Sequence, residues 1–139
     1  MLKESLHNLE RFESEAGGTW RCLRSLDAGF AGFGEVYFSW INPGHTKAWK
    51  RHKMATCNFV VPVGKVTFVV ETENASGIFE HATIGPETYS RLTVTPGRWF
   101  GFRGVSNDQS LVVNIASEIH EDEECETLPL SSFANEMSN

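Results

Sequence analysis

The sequence predicts an all-β sandwich or barrel, and three observations carry that expectation. After Gly18 the chain runs through six or seven short stretches rich in aromatic and β-branched residues. Turn-forming residues punctuate them: Asn42-Pro43-Gly44, Gly64, Gly85-Pro86, Pro96-Gly97 and Ser106-Asn107-Asp108. No helical pattern alternates with these stretches, which excludes a Rossmann or P-loop architecture. The 139 residues amount to one domain, long enough to bury a core without disulfides.

The elements follow in order. Leu2, Leu6, Leu9 and Phe12 recur at intervals of four, three and three, which predicts a short helix or an arm over residues 1–16 that packs on the core or on a partner subunit. Gly17-Gly18 ends it. Thr19–Arg24 and Glu35–Ile41 read as strands, the second as Glu-Val-Tyr-Phe-Ser-Trp-Ile. Cys57–Val63 and Lys65–Glu71 flank Gly64, with Val66, Phe68 and Val70 on one strand face. Gly77–Thr83, Tyr89–Thr95 and Ser110–Ser117 complete the set, the last alternating Leu111, Val113, Ile115 against Val112, Asn114, Ala116. Glu118, Glu121, Asp122, Glu123, Glu124 and Glu126 then crowd nine residues, which reads as a solvated acidic loop. No glycine lies there to turn a calcium loop. Thr127–Phe133 regains apolar character, so residues 118–139 form an acidic tail that packs back on the body.

Charge and cysteines narrow the function classes. Twelve Lys and Arg against eighteen Asp and Glu give a net charge of −6, the wrong balance for a phosphate-backbone binder. No apolar run is long enough to span a membrane, and Met1–Glu15 carries Glu4, Glu10, Glu13 and Glu15, unlike a signal peptide. Cys22, Cys57 and Cys125 are odd in number and widely spaced, which suits a reducing, cytoplasmic setting.

The segment Gly44–Gly64 resembles the first motif of jelly-roll proteins of the cupin superfamily: Gly, five residues, His-x-His, three or four residues, Glu, six residues, Gly. Here the frame holds Gly44, Lys50-Arg51-His52, Cys57 and Gly64. The second cupin motif puts a Gly three residues before a His, and here Gly97 precedes Phe100. A transition metal needs three or four converging N, O or S donors. Lys50 is charged and Phe100 cannot ligate, so His52 and Cys57 are too few. The expectation is a cupin-type jelly-roll barrel without metal or other cofactor. A metal held by His45, His81 or His120 is a weaker alternative, because no spacing ties them together.

Val36–Gly44 followed by Lys47-Ala48-Trp49-Lys50-Arg51-His52-Lys53 resembles the dTDP-4-dehydrorhamnose 3,5-epimerase family, as do Asn58–Gly64 and Tyr89–Phe102. The resemblance covers about residues 9–133. It implies proton abstraction beside the ketone of a 4-keto-6-deoxy sugar linked to a nucleoside diphosphate, without cofactors. In that family a His removes the proton, a Tyr on the other face returns one, and a Lys stabilises the enolate. Here Lys50 stands at the catalytic His position, and the family's Lys falls near Cys57. The strand matching the one that carries its Tyr, Leu111–Ser117, holds no Tyr.

On this frame Lys50 and His52 share a strand face and are the candidate catalytic pair. Lys47, Trp49, Arg98, Trp99 and Arg103 are the candidate substrate-binding residues: cations for the diphosphate, rings for the base or sugar. The resemblance also implies a homodimer formed partly through Met1–Arg24. Two readings stay open, an epimerase or isomerase of nucleotide-linked keto sugars and a non-catalytic nucleotide-sugar- or carbohydrate-binding cupin. Lys50 separates them: buried beside a second ionisable group it fits chemistry, and in bulk solvent it fits binding alone.

Overall fold

The computed structural model describes residues 2–73 and 76–138. Met1 and Asn139, the ends of the expected arm and tail, lie outside the described residues. The chain forms α1 (Leu2–Ser5), β1 (Leu6–Asn8), β2 (Arg11–Phe12), β3 (Thr19–Trp20), β4 (Glu35–Ile41), β5 (Thr46–His52) and β6 (Cys57–Val63). It continues with β7 (Val66–Glu71), β8 (Phe79–Ile84), β9 (Ser90–Val94), β10 (Phe100–Gly104), β11 (Ser110–Ala116) and β12 (Cys125–Thr127). A 3₁₀ turn (Leu130–Phe133) and α2 (Ala134–Met137) follow.

Two five-stranded antiparallel sheets face each other, in the orders β1-β9-β6-β11-β4 and β12-β5-β10-β7-β8. This is the expected all-β, cupin-type jelly roll. Phe59, Leu92 and Val112 from the first sheet meet Phe68, Phe100 and Phe102 from the second in one buried cluster. Ring centroids of Phe59 lie 5.2 Å from Phe68 and 5.4 Å from Phe100, and Phe68 lies 5.3 Å from Phe102. Burying five or six such side chains stabilises the barrel by roughly 1.5–3 kcal/mol each. Gly64 joins β6 to β7 at φ +86°, and a Cβ there would collide with Ser110.

The sheets have dressed outer faces as well. Val69, one residue from Phe68 and Val70, points the opposite way, to a second cluster of Trp49, Trp99 and Met137 with Phe79, Leu128 and Phe133 packed against it. The C-terminal segment thus covers the outside of the β5-β10-β7 layer. The expected N-terminal helix is a single turn. Leu6–Asn8 pairs with Ser90–Leu92 as a strand instead, and Leu2 is buried in the main core. Unpaired backbone on β9 offers more hydrogen bonds than a short isolated helix would keep. No described helix is long and apolar enough to cross a membrane.

Candidate functional site

A cavity of about 110 Å³ opens between the two sheets. Tyr37 and Ser39 on β4, Val112 and Asn114 on β11 and Phe59 on β6 form one wall. Lys47, Ala48, Lys50 and His52 on β5, with Phe100 and Phe102 on β10, form the other. Pockets that enclose a whole drug-sized ligand run to roughly 300–1,000 Å³. At about 110 Å³ this one is smaller than these.

His52 sits at the buried end, 7% exposed, its ring stacked on Phe100 at 5.9 Å between centroids. Its Nδ1 is 2.7 Å from Glu124 Oε2. The other carboxylate oxygen, Oε1, accepts hydrogen bonds from the backbone N–H groups of Met54 at 2.9 Å and Ala55 at 2.8 Å. Burial pushes this carboxyl up, but the bond to His52 and the two amides outweigh it and hold it below its ordinary value. Glu124 is therefore an anchored carboxylate. As a carboxylate it accepts a hydrogen bond from Nδ1–H, which assigns Nε2 as the ring nitrogen without a proton. Strand β12, which pairs Cys125 with His52, brings Glu124 there. The acidic run is thus not a uniform solvated loop: Glu124 supports the site, and Glu126 bonds Arg51.

Tyr37 faces this pair from the opposite sheet. Its hydroxyl oxygen accepts a hydrogen bond from Asn114 Nδ2 at 2.9 Å. Burial, with smaller contributions from Cys57 and Glu35, pushes its phenol up to about 12, so it stays protonated at neutral pH. Sequence reasoning missed Tyr37 because it looked for a tyrosine on Leu111–Ser117. The signal that could have found it is register: Tyr37 lies directly across from Asn114 in the β4–β11 ladder. Glu124 was hidden among its acidic neighbours.

Of the candidates from sequence, the structure brings Lys47, Lys50 and His52 together. Lys47 Nζ donates to Ser39 Oγ at 2.8 Å and to the Trp40 carbonyl at 2.7 Å, tying the two sheets together at the mouth. Lys50 is exposed at the rim rather than buried, the placement that fits binding alone, so a catalytic reading has to rest on the buried His52 beside Glu124 instead. The other four candidates do not line the cavity. Trp49 is fully buried on the outer face, with Phe79 and Phe133 edge-on and its indole N–H donating to the Leu130 carbonyl. Strand alternation puts it opposite Lys50. Trp99 is buried in the same cluster under the Arg51 guanidinium, 4.6 Å away. Arg98 is buried and donates from Nε to the Glu71 carbonyl and from an Nη to Ser5 Oγ. Arg103 lines a shallow hollow of about 400 Å³ on the outer face, with Thr67, Val69 and Met137. Cys57 is buried beside Asn114, and burial pushes its thiol up to about 12, so it is held as a neutral thiol at neutral pH. Among the described residues no three His, Cys, Asp or Glu side chains converge as a metal set.

No protein-family model matches the chain. Among curated proteins, the probable low-salt glycan biosynthesis epimerase Agl13 of Haloferax volcanii is 27% identical over 100 residues, which cover 67% of this chain and 64% of that protein. The chain thus spans a little under two thirds of that relative's length. Among solved structures, a dTDP sugar isomerase from Desulfovibrio desulfuricans G20 matches with a TM-score of 0.84 and 34% identity, over 96% of this chain and 87% of that one. A dTDP-4-dehydrorhamnose 3,5-epimerase from Sulfolobus tokodaii matches with a TM-score of 0.80 over 91% of this chain and 77% of that one. At 17% identity it speaks for the fold alone.

Proposed function

The chain belongs to the dTDP-4-dehydrorhamnose 3,5-epimerase-related family of RmlC-like cupins, and from that premise we propose that it epimerises or isomerises a nucleotide-linked 4-keto-6-deoxy sugar by metal-independent proton transfer, with His52 as the base. The observation that carries this reading is the His52–Glu124 pair at the buried end of the cavity, facing Tyr37. A carboxylate on Nδ1 is the arrangement that lets an imidazole act as a base through Nε2.

A ketone acidifies the C–H bonds beside it. Nε2 of neutral His52 takes the proton, and the C–H electron pair moves onto the carbonyl oxygen as an enolate. Glu124 stabilises the imidazolium that forms, and Lys50 at the rim is the cation that meets the enolate charge. Tyr37 delivers its O–H proton to carbon from the other wall, which inverts the centre. The phenolate and imidazolium then exchange protons through solvent and reset the site. Lys47 at the mouth receives the diphosphate. A charge-assisted contact of this kind is worth roughly 1.5–3 kcal/mol, so Lys47→Ala weakens nucleotide-sugar binding about tenfold or more without unfolding the chain.

Proton NMR of dTDP-4-keto-6-deoxyglucose in D₂O tests the reading. Deuterium enters the carbon beside the ketone with the wild-type protein and fails to enter with His52→Asn. No exchange by the wild type on any 4-keto nucleotide sugar would leave only the binding reading. The proposal extends to a homodimer in the cytoplasm, supported by three unpaired cysteines and by the apolar surface discussed below.

A further inference from the structure

Asn114 is 2% exposed on the inner face of the first sheet, flanked in its ladder by Tyr37 on one side and Phe59 on the other. An amide in such a layer is costly unless it is paired. Its Nδ2 donates to Tyr37 Oη at 2.9 Å, and the same amide reaches the Cys57 thiol. Its carbonyl oxygen, Oδ1, is buried with no partner among the described residues. The side chain therefore presents its donor side to the tyrosine while its acceptor side goes unsatisfied.

That orientation has a chemical result. A phenol oxygen that accepts from an amide is not using its own O–H on that amide. The proton is left to point elsewhere, and Tyr37 borders the cavity. Were the amide turned the other way, Oδ1 would take the phenol proton and the cavity would lose its donor. We infer that Asn114 is a positioning residue: by donating to Tyr37 Oη it aims the phenol proton into the cavity. The inference rests on the proton-transfer reading above.

The same D₂O experiment separates the two steps. With Asn114→Leu, or Asn114→Ala if the larger side chain fails to fold, deuterium wash-in stays within about threefold of wild type because His52 is untouched. Product formation falls about tenfold or more, and KM stays within about twofold. A merely structural role would lower wash-in and product formation together, and that result, or unchanged product formation, overturns the inference. Should the wild type exchange no 4-keto sugar, the functional reading fails and Asn114 is judged by spectroscopy alone. The chain has two tyrosines, so Tyr37 is the only one in a Tyr89→Phe background. Asn114→Leu in that background shifts the Cζ resonance of ¹³C-labelled Tyr37. An unmoved resonance overturns the inference.

Discussion

A carboxylate behind an imidazole decides which ring nitrogen is bare, and Glu124 does this for His52 at 2.7 Å. Glu124→Gln keeps a side-chain oxygen for the Met54 and Ala55 amides but removes the charge that steadies the imidazolium. Turnover should drop about hundredfold or more, with the melting temperature little changed. Kinetics and thermal unfolding on the same preparation check this, and a parallel loss of both would mean that Glu124 is structural only. The pH sign follows from its lowered pKa. The group contributes stability above the ordinary carboxyl value of 4.5 and loses it as pH falls through the lowered one, so urea midpoints should decline on the acid side. At this scale the sequence was half legible. His52 could be found because strand alternation puts it on the face of Lys50. Tyr37 could not, because its partner lies 77 residues away and only the ladder register joins them. Six acidic residues within nine positions likewise conceal the one that reaches His52.

Strands were the legible elements. Glu35–Ile41 and Cys57–Val63 stand where alternation and β-branching put them. Helical spacing misled at Leu2–Phe12, since three leucines at intervals of four and three also fit a turn followed by a strand along β9. The C-terminal elements were legible only as apolar residues returning to the body; that they cover Trp49 and Trp99 depends on which face of β5 they reach. Trp49→Ala should therefore cost about 3–5 kcal/mol of stability while leaving nucleotide-sugar affinity of the folded protein unchanged. Denaturant unfolding and isothermal titration measure the two. A loss of affinity with stability intact would return Trp49 to the ligand site.

At the scale of the whole molecule, the expected N-terminal stripe is only partly free, with Phe12 exposed. Leu2 is buried, and Leu6 and Leu9 pack on the chain's own core. Among the exposed apolar side chains, Val36, Phe38 and Trp40 share the outer face of edge strand β4, and Leu26 and Phe33 lie in the loop before it. Edge strand and apolar face together suit a second copy. Light scattering should give a dimer for the full chain and a monomer for Phe38→Glu; a wild-type monomer would defeat the proposal. The site also joins distant parts of the chain, since Glu124 reaches His52 across 72 residues and Tyr37 comes from the other sheet. A barrel whose strand β12 has not yet docked keeps its aromatic core and His52 but lacks the carboxylate behind the imidazole. Turnover, unlike circular dichroism, would then count only molecules in which β12 has docked, so an activity assay during refolding times that closure rather than the formation of the sheets.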